Sequence, residues 1–211
     1  MGLLTALTLA GSIAIIFILF GPRGLVNPGL AFKPIGTLLY LGIPLIGGAL
    51  WGWGIASLMK ADVKPLIKTG ARTWTIWMFI AYYVPGTLDF LNMTDLPFIK
   101  HYDFLVFLLP GAWIAAAIPA RVMTEKLGLD YIKKKIGIIT GAASVLGFLV
   151  VGLIIQLVFG WEVGRPVYGS YDMTTILRWC CLGSALAGGL AMGWGLAKSS
   201  RVSGVDFQAY P

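Results

Sequence analysis

The chain has 211 residues, of which 58% are hydrophobic and only 12% are charged. A soluble globular domain carries about 25% charged residues, so this chain has too little polar surface to coat a water-soluble globule. The formal net charge is +7, but the basic residues lie in short segments between long apolar runs. That distribution fits anionic lipid headgroups and membrane orientation. We therefore predict an integral membrane protein that has the lipid bilayer as a partner and does not bind nucleic acid.

Six apolar runs have lengths suited to crossing a bilayer, since a transmembrane helix needs about 20 mostly apolar residues. The fourth run is the weakest, because it is short and contains Pro110 and Pro119. Runs without a two-residue alternation exclude the strands of a membrane barrel. The first run lacks the basic flank and the cleavage site of a signal peptide, so we expect it to be retained. The sequence predicts an all-α, polytopic membrane protein with a single membrane domain over 1–211 and helices at about 3–21, 35–59, 73–93, 104–120, 136–160 and 175–197.

The basic residues also predict an orientation. Segments 60–72 and 121–135 and the tail after 197 are richer in Lys and Arg than the three alternate connections. Basic loops remain in the cytoplasm, so both termini are predicted to be cytoplasmic. The six helices then form three hairpins, each with its tip outside.

One eleven-residue element occurs twice, as Gly47–Ser57 and as Gly188–Lys198. The two copies share six identical positions: the leading glycine pair, the Gly-Trp-Gly core and the alanine two places after it. A Phe-Gly pair also closes the helix before each copy. These matches predict that hairpins one and three are related by internal duplication. Hairpin two shows only a faint echo at 111–114, so a pseudo-threefold arrangement and a twofold duplication around an inserted hairpin both stay open.

Glycines four residues apart occur in the second, fifth and sixth predicted helices. Small residues at this spacing lie on one helix face and let another helix approach closely. An alternative is that the glycines of the second and sixth helices let these helices bend or open beside a pathway. The predicted packing residues are Gly48, Gly52, Gly137, Gly141, Gly189 and Gly193.

Ionisable side chains within a membrane are costly and are therefore candidates for function. Asp89 and Arg178 lie near the predicted outer ends of the third and sixth helices. They can pair there, or each can extend to the interface separately. Aromatic residues at helix ends usually mark the headgroup region, but they can also line a solute site. The candidate substrate or pathway residues are Asp89, Arg178, Trp51, Trp53, Trp194, Trp161, Tyr168 and Tyr171.

Catalytic chemistry finds little support in this sequence. The single histidine, His101, excludes a bis-histidine haem within the chain, and we expect no enzyme activity, no cofactor and no metal site. Two functions remain. The first is a small-solute permease or membrane substrate-binding component with an outward-facing site. The second is a non-catalytic integral membrane subunit of a larger complex, for example a respiratory one, that packs through its glycine-rich faces against other membrane subunits or further copies of itself.

Overall fold

The computed structural model describes residues 1–7, 9–11, 34–90, 109–159 and 173–203. Side chains are described for residues 1–7, 9–11, 41–76, 109–158 and 179–199. All regular structure within these residues is helical. The all-α prediction therefore holds for the described part of the chain.

Six α-helices occur among the described residues, in the order that the sequence predicts. They are α1 (Gly2–Gly11, apart from residue 8), α2 (Pro34–Met59), α3 (Val63–Phe90), α4 (Leu109–Lys126), α5 (Lys133–Phe159) and α6 (Met173–Ser203). A 3-10 turn, Asp130–Ile132, precedes α5. Three segments are long and apolar enough to cross a membrane: Leu41–Met59, Asp130–Val158 and Trp179–Ser199.

The segment 60–72, expected to be a loop, is helical from Val63 onward, so α3 begins well before the predicted boundary at 73. An apolar-run criterion misses this start because three cations interrupt the run. Lys64, Lys68 and Arg72 recur at four-residue spacing and lie on one exposed face of the helix. The opposite, buried face is formed by Leu66, Gly70 and Trp74.

The connection between α2 and α3 is short, and both helix ends beside it are capped. Lys60 adopts a left-handed backbone conformation, with a φ of 51°. The N–H of Ala61 then donates to the carbonyl oxygen of Ala56 at 3.0 Å, which satisfies one of the last carbonyls of α2. Asp62 Oδ1 accepts a hydrogen bond from the N–H of Lys64 at 3.2 Å and caps the start of α3.

Helix α4 is likewise longer than predicted at its C-terminal end, and continues through Lys126 rather than stopping at 120. It ends in a Schellman motif around Gly128, which has a φ of 76°. The N–H of Gly128 donates to the carbonyl of Glu125 at 3.0 Å, and the N–H of Leu129 donates to that of Thr124 at 3.1 Å. The expected loop 121–135 therefore shrinks to a few residues between two helices.

The helices form a closed bundle in chain order. Each helix packs on the next, and α6 returns to pack on α1; α4 also contacts α6. An apolar core fills the interior, and residues of both short connections pack against it together with Met1. The α2–α3 connection, the α4–α5 connection and the start of α1 thus lie at the same end of the bundle. The most deeply buried large side chains of this core are Ile55, Leu66, Met123, Ile136 and Leu196.

Candidate functional site

Helices α2 and α3 meet backbone to backbone. A Cβ placed on Gly48 would lie 2.7 Å from Cβ of Trp74 and even closer to the carbonyl oxygen of Gly70. A Cβ on Gly52 would similarly overlap the backbone of Leu66. Two glycines of α2 and one of α3 therefore allow an approach that any larger side chain would prevent. Gly70 was not among the predicted packing residues. The prediction was based on glycines four residues apart in one helix, and α3 has no second glycine at that distance from Gly70.

The second predicted glycine pair, in α5, faces α4. A Cβ on Gly137 would lie 3.1 Å from the carbonyl oxygen of Ala117, and one on Gly141 would lie 3.0 Å from the ring of Trp113. These contacts are looser than those of α2 with α3, and one of the neighbours is a side chain.

The third pair, in α6, faces α1. A Cβ on Gly189 would lie 2.5 Å from Cα of Gly2, and one on Gly193 would lie 2.8 Å from Cβ of Met1. Five of the six glycines proposed for packing thus lie at contacts with a neighbouring helix of the same chain, and Gly193 lies at a contact with Met1, just before α1.

A further close contact joins α5 to α6 and was not predicted. A Cβ on Gly183 would lie 2.9 Å from the carbonyl oxygen of Gly147, and one on Gly147 would lie 2.6 Å from Cβ of Ala187. The spacing Gly183-x-x-x-Ala187 is a small-residue pair of the same kind as the glycine pairs. A search that included alanine would have found it.

Two tryptophans pack together in the apolar core. The rings of Trp51 on α2 and Trp74 on α3 meet edge to face, with centroids 6.1 Å apart and planes at 76°. Trp51 Nε1 donates to Thr5 Oγ1 at 3.1 Å, and Thr5 Oγ1 donates to the carbonyl oxygen of Met1 at 3.0 Å. Trp51 is therefore anchored to α1 as well as to α3.

Trp74 differs from Trp51 in the hydrogen bonding of its indole nitrogen, Nε1. Its side chain is only 7% exposed, yet no hydrogen-bond acceptor lies within reach of Nε1 in the structure as described. The hydroxyls of Thr75 and Thr140 are also buried without a partner among the residues that the structure describes. A buried polar atom left unpaired costs about 1–3 kcal/mol, so such atoms usually face a water, an ion or a ligand. The indole N–H is only a donor, so its missing partner is an acceptor.

A small polar cluster lies where α5 meets α6. The hydroxyls of Ser144 and Ser184 are hydrogen-bonded to each other inside the bundle. Gly188 packs over them, since a Cβ there would lie 3.3 Å from Cβ of Ser144 and 3.4 Å from the carbonyl oxygen of Thr140. The buried polar side chains of the described residues are all neutral: Thr124, Thr140, Ser144 and Ser184. They can exchange hydrogen bonds with a solute but supply no charge.

The tryptophans common to both copies of the repeated element lie on the outer surface. Trp53 is 53% exposed and Trp194 is 60% exposed. Lys198 Nζ lies 5.2 Å from the ring centroid of Trp194, within range of a cation–π interaction. These two side chains do not join Trp51 in the core.

No protein-family model, no curated protein and no solved structure matches the chain.

The remaining predicted site residues fall where side chains are not described. Asp89 lies near the C-terminal end of α3 and Arg178 in the first turns of α6, but only their backbones are described. Trp161, Tyr168 and Tyr171 lie outside the described residues altogether. Their roles, and the pairing of Asp89 with Arg178, stay predictions.

Proposed function

We propose that the protein is a small-solute permease, or the substrate-binding component of one, with a solute site inside the helix bundle that opens outward. The observation that carries this proposal is the indole N–H of Trp74. Among the described residues it is a buried donor without an acceptor, in contact with a second tryptophan of the apolar core. A bound solute that carries a hydrogen-bond acceptor would pair with this N–H and remove the free-energy cost of burying it unpaired.

The proposal includes six membrane crossings as three hairpins, with both termini in the cytoplasm and hairpins one and three related by duplication. The burial of equivalent residues supports the duplication. Trp51 and its counterpart Met192 are both buried, whereas Trp53 and Trp194 are both exposed.

The contacts of a third equivalent pair of residues support it too. Gly54 packs on α1, the first helix of its own hairpin, and Gly195 packs on α5, the first helix of the third hairpin.

In this scheme the solute would contact aromatic faces and neutral donors in the interior. Trp51 and Trp74 would provide the aromatic faces, and hydroxyls such as that of Thr140 would accept or donate a hydrogen bond. Asp89 and Arg178 would lie at the outer entrance. A neutral solute fits this interior better than a charged one, because transferring an unpaired charge into such an interior is costly.

The experiment starts with the purified protein and a panel of amino acids, nucleosides and sugars, screened for solutes that raise its melting temperature. For a solute that does so, we expect Trp74→Phe to weaken binding roughly two- to tenfold, the value of one hydrogen bond. Trp53→Phe is the matched control on the outer surface and should leave the affinity unchanged. Equal weakening by both variants would contradict the proposed site.

The second candidate function is a non-catalytic subunit of a larger membrane complex. The observation that favours it is the outer position of Trp53 and Trp194, since tryptophan is enriched among the residues that dominate protein interfaces. The glycine pairs serve this function less well than the sequence implied, because their faces are already covered by helices of the same chain.

Purification in mild detergent separates the two candidates. Partner subunits that co-purify in fixed stoichiometry, together with no stabilising solute, would support the complex subunit.

A further inference from the structure

The outer side of the α4–α5 hairpin carries two cations that adjoin apolar side chains. The two helices touch through Ala117 and Gly137, because a Cβ on Gly137 would lie 3.1 Å from the carbonyl oxygen of Ala117. Buried residues close the inner side of this contact: Ala120, Thr124, Ile136 and Thr140. Exposed residues next to the contact therefore lie on its outer side, away from the core.

The two cations lie one helical turn from this contact. Arg121 is exposed and follows Ala117 by four residues, and its Cβ lies 3.5 Å from the position of a Cβ on Gly137. Lys134 is exposed and precedes Gly137 by three residues. Residues three or four apart lie on the same side of a helix. Arg121 and Lys134 therefore flank the same point of the hairpin, close to the α4–α5 connection.

Two isoleucines continue this surface away from the connection. Ile118 immediately follows Ala117 and is 53% exposed. Ile138 immediately follows Gly137 and is 58% exposed. Because both isoleucines are exposed and adjacent to the contact residues, they lie on the outer side as well. The isoleucines and the cations are thus neighbours across the contact of the two helices.

Trp113 forms the far end of the surface. Its ring lies 3.0 Å from the position of a Cβ on Gly141, and the residue is 37% exposed. From Arg121 back to Trp113, α4 covers eight residues, about 12 Å of helix axis. One leaflet supplies half of a hydrocarbon core of roughly 30 Å. A phospholipid with its headgroup at Arg121 therefore has acyl chains long enough to reach Trp113.

The charge of these two cations is not balanced by the acidic side chains beside them. Glu125 and Asp130 both accept hydrogen bonds from Lys133, at 2.9 and 2.7 Å. Within the described part of the chain, no carboxylate forms an ion pair with Arg121 or Lys134. Both cations are therefore available to an anion from outside the bundle.

We propose that the outer side of the α4–α5 hairpin binds one anionic phospholipid. Its phosphate lies between Arg121 and Lys134, where the guanidinium and the ammonium group donate charge-assisted hydrogen bonds to it. One acyl chain runs over Ile118 and Ile138 toward Trp113. A soluble phosphate or an acidic peptide would match the cations alone and would make no use of the apolar part of the surface.

The test titrates the full-length protein in mild detergent with phosphatidylglycerol and with phosphatidylcholine, and counts bound lipid by native mass spectrometry. We expect the unmodified protein to prefer phosphatidylglycerol. Removal of one cation near anionic headgroups costs roughly fivefold in affinity. The combined variant Arg121→Gln and Lys134→Gln should therefore raise the apparent Kd for phosphatidylglycerol by at least about tenfold and change that for phosphatidylcholine much less.

The matched control, Lys126→Gln with Lys135→Gln, removes the same charge from the same hairpin. Lys135 is turned about 100° around α5 from Lys134, and Lys126 about 140° around α4 from Arg121, so both lie away from the contact. This variant should change the affinity for phosphatidylglycerol by less than about threefold. Equal losses in the two variants would show attraction to net charge and overturn the proposal.

A second pair of variants tests the acyl chain. Ile118→Ser should weaken the binding of phosphatidylglycerol by roughly two- to fourfold, up to the value of one buried methylene group. Leu50→Ser is the control on α2, where Leu50 is 57% exposed, and should leave the affinity unchanged. Competition by glycerol phosphate at lipid-like concentrations would overturn the proposal, because the acyl chain would then contribute nothing.

If the double variant of the two cations does not fold, Lys134→Gln alone serves the same purpose, with an expected loss of roughly fivefold. An unchanged affinity in that variant, at an unchanged melting temperature, would contradict the site. Loss of a co-purifying acidic protein without any change in lipid binding would assign the cations to a protein partner and overturn the lipid site.

Discussion

Gly128 is a residue whose backbone conformation matters more than its surroundings. Its φ of 76° is a left-handed value that side chains with a Cβ rarely adopt, and a Cβ there would meet nothing within 4 Å. Its role is to close the Schellman motif at the end of α4. A substitution at this position therefore measures conformational strain without a steric contribution.

We expect Gly128→Ala to lower the free energy of unfolding by about 1 kcal/mol, measured by thermal melting in detergent. Gly111→Ala is the control, because Gly111 also has open space around it but lies within α4. There alanine should be neutral or stabilising by up to about 1 kcal/mol. Equal effects at the two positions would mean that the left-handed conformation is not what Gly128 supplies.

At the scale of single residues, a glycine pair can be chosen from the sequence, whereas an unpaired polar atom cannot. Gly48 and Gly52 stood out because glycines four apart on an apolar helix have few other uses, and both lie at a helix contact. Trp74 did not stand out, because nothing in the sequence says which indole N–H lacks an acceptor. That property depends on how α3 rotates against α2, which local sequence does not specify.

At the scale of elements, the contact of α2 with α3 brings the backbones of the two helices together. The atoms that would meet a Cβ on Gly52 belong to the backbone of Leu66 and Ile67. Backbone cannot move aside as a side chain can, so the two helices would have to separate. The contact of Gly193 is with Cβ and Cγ of Met1, which precedes the first turn of α1 and can shift without separating two helices.

We therefore expect a graded response to alanine at these glycines. Gly52→Ala should destabilise the protein by about 1–3 kcal/mol, as overpacking does, and Gly193→Ala should cost less than half as much. Melting temperatures of the purified variants provide the measurement. Gly42→Ala is the control within α2, since a Cβ there meets nothing within 4 Å. A larger loss at Gly193 than at Gly52 would refute this ranking.

The helices themselves were predictable to different degrees, for a physical reason. Helices α2 and α5 are apolar over most of their length, so their bounds follow closely from the hydrophobic runs. Helix α6 begins near its predicted start but continues through Ser203 rather than ending at 197. Helix α3 begins with a segment that carries Lys64, Lys68 and Arg72, and α4 ends with a segment that carries Arg121, Glu125 and Lys126. Both helices therefore extend past their apolar runs. A helix can continue wherever one face is buried, and the burial of Leu66 or Met123 cannot be read from charge content.

At the scale of the whole molecule, both short connections and Met1 lie at one end of the bundle. Segments that the sequence assigns to a single side of the membrane are thus together in space. Which side that is depends on the membrane and stays a prediction from the distribution of lysine and arginine.

Cysteine labelling tests this orientation in cells. In a background with Cys180→Ala and Cys181→Ala, we expect Thr94→Cys to react with a membrane-impermeant maleimide in intact cells. Lys64→Cys should react only after permeabilisation, because segment 60–72 is predicted to be cytoplasmic. The opposite pattern would invert the topology, and labelling of both positions from outside would exclude a membrane crossing by the third helix.

The contact of α1 with α6 has a consequence for biogenesis. Gly2 rests against Gly189, so α1 finds this neighbour only after α2 to α5 have been synthesised. At roughly 5–20 residues per second, that interval is on the order of 10–40 s. During this time one flank of α1 faces lipid or an insertion factor instead of α6. In nascent chains that stall before α6, that flank of α1 would remain unpacked. Such chains would be substrates for membrane proteases that degrade unassembled helices.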